Sequence, residues 1–171
     1  MKSILTLSII LSVLFFSCSK SSSNGGGTAS GTLEADVDGT HMVFSKFATA
    51  TREHVGTLYS ISFAGFQGAA GSSNEMTFAV GGTDSVIAGT YLGNYANPQL
   101  DMSSIFYYDG GITNYATTGT SPDTCIVKIT SMDQNNVQGT FSGNVLLNSG
   151  AGGATAHHTI TNGTFNLKFA N

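Results

Sequence analysis

Beyond residue 30, apolar and polar residues alternate with a period of two along most of the chain. Leu33, Ala35 and Val37 alternate with Thr32, Glu34 and Asp36. Asp38-Gly39 follows, a pair that accepts the positive φ angles of a tight hairpin turn. Met42 and Phe44 lead into a strand from Phe47 to Arg52. Tyr59, Ile61 and Phe63 alternate with serines, and a glycine-rich loop spans Gly65 to Ser73. Met76, Phe78 and Val80 alternate again, and Val86 to Tyr91 is a short run broken by Gly89. Leu100, Met102, Ser104 and Phe106 set one face of the next strand, Asp109-Gly110-Gly111 turns it, and Ile112 to Thr117 is a weaker strand.

The last third repeats the pattern most clearly. Cys125, Val127 and Ile129 share a face, and a turn falls at Asp133 to Asn136. Val137, Phe141, Val145 and Leu147 share a face with Gly139 and Gly143. Asn162-Gly163 reads as a second type I′ turn, before Phe165, Leu167 and Phe169. About nine or ten short strands with frequent turn signals, and no period of 3.6, predict an all-β fold. The expected form is an antiparallel β-sandwich, with a closed meandering β-barrel as the alternative.

The first thirty residues follow another rule. Lys2 precedes a thirteen-residue apolar run, Ile4 to Phe16, and then Ser17 and Cys18. Crossing a bilayer as a helix takes about 20 apolar residues, so the run fits the core of a secretory signal. Ser19 to Ser30 is Ser/Gly-rich and reads as a flexible tether. The chain thus divides into a signal at 1–17, Cys18 with its tether at 18–30, and one all-β domain at 31–171.

Composition narrows the functional classes. Six Lys+Arg against ten Asp+Glu, with a formal charge of −4, exclude a basic nucleic-acid footprint. Removal of 1–17 takes away only Lys2 among the charges, leaving −5. The two cysteines are Cys18 and Cys125, and only Cys125 lies in the all-β domain, so no disulfide is expected within that domain.

The order apolar run, Ser17, Cys18 resembles a bacterial lipoprotein signal, in which the Cys becomes residue one and carries acyl chains. The resemblance implies attachment at Cys18, with palmitate-type chains and a cell-envelope location, the outer membrane first, on a face left open. Lys20 stands where surface-exported relatives carry acids, and Phe15 where Leu is commonest. Val37-Asp38-Gly39-Thr40, Gly89-Thr90-Tyr91, Val127 to Gly143 and Ile160 to Phe169 are similar to segments of uncharacterised Bacteroidota lipoprotein domains. That likeness implies an all-β envelope domain and brings no activity, ligand or cofactor. Asp84-Ser85-Val86 resembles the short O-glycosylation acceptor of the same phylum.

Candidate chemistry is sparse. Glu34, Asp36, Asp38 and Gly39 open like a calcium loop, but Ser45 stands where the bidentate Glu would be. They read as the polar face of an outer strand. His41, His54, His157 and His158 show no metal-ligand spacing, and the adjacent pair would point to opposite sheet faces. There is no GxSxG elbow, and Gly65, Gly68 and Gly71 match no phosphate loop. Cys125 reads as a core residue. No catalytic residue, metal ligand or cofactor is assigned. Tyr91, Tyr95, Tyr107, Tyr108 and Tyr115, interleaved with Asn94, Asn97, Asp101 and Asn114, form a candidate ligand surface. Tyr stacks and hydrogen-bonds, which suits a glycan or an envelope-protein partner. The expected function is therefore a non-enzymatic binding or structural module of the envelope, held to the membrane by acyl chains. The alternatives are a barrel carrying a small apolar ligand and a small hydrolase whose site assembles only in the fold.

Overall fold

A computed structural model describes residues 31–93, 102–110, 113–119, 122, 124–147 and 156–170. Cys18, the tether and Tyr95 lie outside the described residues. Eleven strands occur among those described, and no helix. They are β1 (Thr32–Val37), β2 (Thr40–Val43), β3 (Lys46–Val55), β4 (Leu58–Phe66), β5 (Glu75–Gly82) and β6 (Gly89–Leu92). β7 (Met102–Asp109), β8 (Thr113–Ala116), β9 (Cys125–Met132), β10 (Asn136–Leu147) and β11 (His157–Lys168) follow.

The strands form one sheet in the order β2-β1-β11-β10-β9-β6-β7-β5-β4-β3, with β8 bridging β10 and β7. Pairing is antiparallel except for Leu92 with Met102 and the bridge Ala50 to Phe169. The sheet curls into a half-barrel, an all-β form consistent with either a sandwich or a barrel. Its two limbs are clasped where β3 meets the chain end. The Ala170 amide donates to the Ala50 carbonyl at 2.8 Å. The Arg52 guanidinium donates to the carbonyls of Asp133 and Gln134 and lies 3.5 Å from the centre of the Phe169 ring.

The core is the inward half of each alternation. Leu33, Ala35, Val37, Cys125, Val127 and Ile129 are buried as the period of two predicts. Phe63 and Phe78 come from one limb, Phe141 and Phe165 from the other. Phe78 stacks on both Phe63 and Phe141 at 4.5 Å, and Phe63 meets Phe165 at 4.9 Å. Each fully buried ring contributes about 2–3 kcal/mol through the apolar area it removes from water. This quartet packs one limb against the other across the inside of the curl.

Two of those rings lie over glycines. Gly139 pairs with Phe165 and Gly163 with Phe141 across β10 and β11. A Cβ on Gly139 would run into the Lys128 carbonyl oxygen and lie 2.5 Å from Phe165 Cζ. On Gly163 it would meet the Phe141 carbonyl oxygen and ring. The glycines leave room for rings to lie flat on the backbone.

Three expectations are corrected. Asp38-Gly39 does turn the chain, with φ of 51° and 80°, but Asn162-Gly163 does not. β11 runs straight through, and positive φ at Asn162 marks a bulge that gives β11 one extra residue against both β1 and β10. Strand pairing on both sides outweighs the local turn preference. The inward face of β7 is Ser103, Ile105 and Tyr107, not the set with Ser104 and Phe106. Both faces of β7 carry an aromatic residue, so alternation alone fits either. Pairing of Ile105 with Phe78 and Tyr107 with Met76 decides it. Gly65 belongs to β4, and the loop begins after Phe66.

Candidate functional site

The β7 register splits the tyrosine surface. Tyr107 faces inward, and Tyr91 and Tyr115 are also buried in the core. Tyr91 Oη accepts from the Ile87 amide at 2.9 Å and donates to its carbonyl at 2.7 Å, and Tyr107 Oη donates to Met42 Sδ at 3.8 Å. The Tyr107 phenol is pushed up to about 12, first by burial and then by Asp109 and Asp38. The expected five-tyrosine face is therefore not assembled, because strand-favouring aromatics fill the core side of the pleat. Tyr108 alone among the described members points outward.

Around Tyr108 the sheet builds a row the sequence did not disclose. Phe66 on β4, Glu75 on β5, Tyr108 on β7 and Asn114 on β8 are successive cross-strand partners. Their neighbours Gly65, Met76, Tyr107 and Tyr115 are buried, so all four side chains share the outer face. At strand spacing the row is about 14 Å long. No hydrogen bond or ion pair reaches the Glu75 carboxylate among the described residues, and burial pushes it above the ordinary carboxylate range. Burial, and then the charge of Glu75, also raise the Tyr108 phenol. Asn114 Oδ1 is shut off from solvent with no donor. A half-buried carboxylate without a partner pays for the water it has lost.

Lys46 is the β3 partner of Phe66 at the sheet edge, and Phe47 beside it also leans on Phe66. Phe47 stands at a β3 bulge with φ of 53°, is 61% exposed, and meets Phe66 edge-on at 6.4 Å. A large non-glycine residue in that region costs about 1–2 kcal/mol, and here the strain holds an aromatic ring out in water. Nothing in the local sequence distinguishes Phe47, Phe66 or Glu75 from ordinary strand residues. Only the register brings them together.

A second polar group lies where β1, β2 and β11 meet. The Asp38 carboxylate accepts from the Thr159 amide at 2.8 Å and from His158 Nδ1 at 2.6 Å. These bonds hold the Asp38 carboxyl below its ordinary range, the backbone bond first. His158 Nε2 is buried and unpartnered, and the ring lies edge-on to Tyr115 at 4.2 Å and Tyr107 at 5.2 Å. The carboxylate orients the imidazole as in acid–base catalysis, but no hydroxyl or thiol nucleophile bonds to Nε2. The pair acts as a strut tying the first hairpin to β11. Outside it, His41 Nδ1 meets Asp36 at 3.1 Å, and Asn162 Nδ2 donates to Asp36 at 2.8 Å. This polar strand face carries the acids of β1, as expected. His157 and His158 lie on opposite faces. Among the described residues no group of three His, Cys, Asp or Glu side chains is placed to hold a metal ion. Cys125 is buried beside Ser103 Oγ at 3.3 Å, and its thiol is pushed up by burial.

No family model, curated protein or solved structure matches this chain.

Proposed function

We propose that this protein is an outer-membrane lipoprotein of a Bacteroidota-type envelope, whose β-domain is a non-enzymatic module that binds glycans on its outer face. The observation that carries the binding role is Glu75, a half-buried carboxylate without a partner, set between Phe66 and Tyr108. Sugars offer what the row lacks: hydroxyl donors for the carboxylate and C–H faces for the rings. The ring quartet across the inside of the curl supports a packed scaffold over a hollow carrier. The order of Ile4 to Phe16, Ser17 and Cys18 supports anchoring by acyl chains, two or more of which hold a protein stably to a membrane.

The test is titration of the domain with a panel of cell-surface oligosaccharides, read by calorimetry and by amide shifts. Binding should weaken about five- to thirtyfold in Tyr108→Ala and Phe47→Ala, the loss of one stacking ring being worth about 1–2 kcal/mol. The absence of binding, or binding indifferent to both variants, would refute the module. For the anchor, Cys18→Ala should move the protein from the membrane to the soluble fraction. Retention of that variant on membranes would refute attachment at Cys18.

A further inference from the structure

We infer that the outer-face row selects glycans bearing a protonated amine, with the ammonium seated on Glu75 between Phe66 and Tyr108. The inference rests on the glycan reading above and adds the charge of the ligand. Glu75 is paired in register with an aromatic residue on each side, Phe66 and Tyr108, and no cation reaches it among the described residues. Lys46 stands beyond Phe66 in the same row and makes no ion pair with it. A neutral hydroxyl would meet one hydrogen-bond need of this carboxylate and leave its charge uncompensated. An ammonium meets both, donating charge-assisted bonds. The mature chain's charge of −5 raises the local concentration of cationic ligands and disfavours anionic ones. The Glu75 carboxylate can only accept, so the ligand seated on it must donate.

The experiment compares a glucosamine oligomer with its N-acetylated counterpart of equal length. The two differ in charge and in one acyl group per sugar. The full domain is titrated with each by calorimetry at mildly acidic pH, where the glucosamine amines are protonated, alongside Glu75→Gln and, as a control for general attraction to an acidic body, Glu53→Gln. The expected result is at least tenfold tighter binding of the free amine, since a charge-assisted bond to a part-buried carboxylate is worth that factor or more. Glu75→Gln should erase the preference and keep residual binding of both oligomers, while Glu53→Gln leaves it intact. Equal binding of both oligomers, still weakened by Tyr108→Ala, would overturn the amine and leave the glycan module standing. An amine preference that survives Glu75→Gln would place the cation elsewhere and overturn the assignment. Failure of the whole oligosaccharide panel, these two included, would overturn both readings.

Discussion

Gly139→Ala adds one methyl group at the point where the two limbs of the sheet meet. The new Cβ would run into the Lys128 carbonyl oxygen, part of the neighbouring strand's backbone, and would sit 2.5 Å from Phe165 Cζ. Neither neighbour can give. β9 is fixed by its ladder to β10, and Phe165 is held against Phe63 and Phe78 at 4.9 and 5.3 Å. Inserting atoms into a packed core costs about 1–3 kcal/mol, and a collision with backbone lies at the upper end. A loss of about 3 kcal/mol should lower the melting temperature of a domain this size by about 6–12 °C. Gly89→Ala makes the same chemical change in β6, where nothing lies within 4 Å of the added carbon. There, reduced freedom of the unfolded chain should stabilise by about 0.4–1 kcal/mol. Urea unfolding with calorimetric melting measures both, and opposite signs are expected. A Gly139→Ala protein within about 0.5 kcal/mol of wild type would refute the packing of Phe165 on the glycine.

Other outcomes follow from the polar groups. Asp38→Ala removes two bonds to β11 and should cost about 1–2 kcal/mol by urea unfolding, while Asp38→Asn, which suits the turn's positive φ, costs less. The folded-state value of Asp38 is lowered, so its contribution is present above the ordinary 3.8 and is lost as pH falls through the lowered value. Asp38→Ala should therefore flatten the acid limb of the stability profile. Glu75 has the opposite sign. Its raised value means the buried carboxylate opposes folding at neutral pH, and this opposition fades as pH falls through that value. Without ligand, Glu75→Gln should raise stability at pH 7 by no more than about 1 kcal/mol, because the group is half in water, and by nothing near pH 3. Cys125 should react with thiol reagents at the rate of unfolding, and fast labelling of the native protein would contradict its inward register.

The sequence by itself determined which residues share a face in β1, β9, β10 and most of β11, because a strand sends alternate side chains to opposite sides. It also placed the Asp38-Gly39 turn, where two adjacent residues must accept positive φ, and the inward position of Cys125. It could not orient β7, whose two faces are both aromatic, and so it gathered Tyr91, Tyr107, Tyr108 and Tyr115 onto one surface. Nor could it tell that the Asn162 φ marks a bulge inside a paired strand. Those outcomes depend on which strand lies beside which, and hydrogen bonds between residues far apart in sequence decide that. The row of Phe66, Glu75, Tyr108 and Asn114 is the same kind of fact. Each member is an ordinary strand residue in its own segment, and only the lateral register of four strands sets an unpaired carboxylate between two rings.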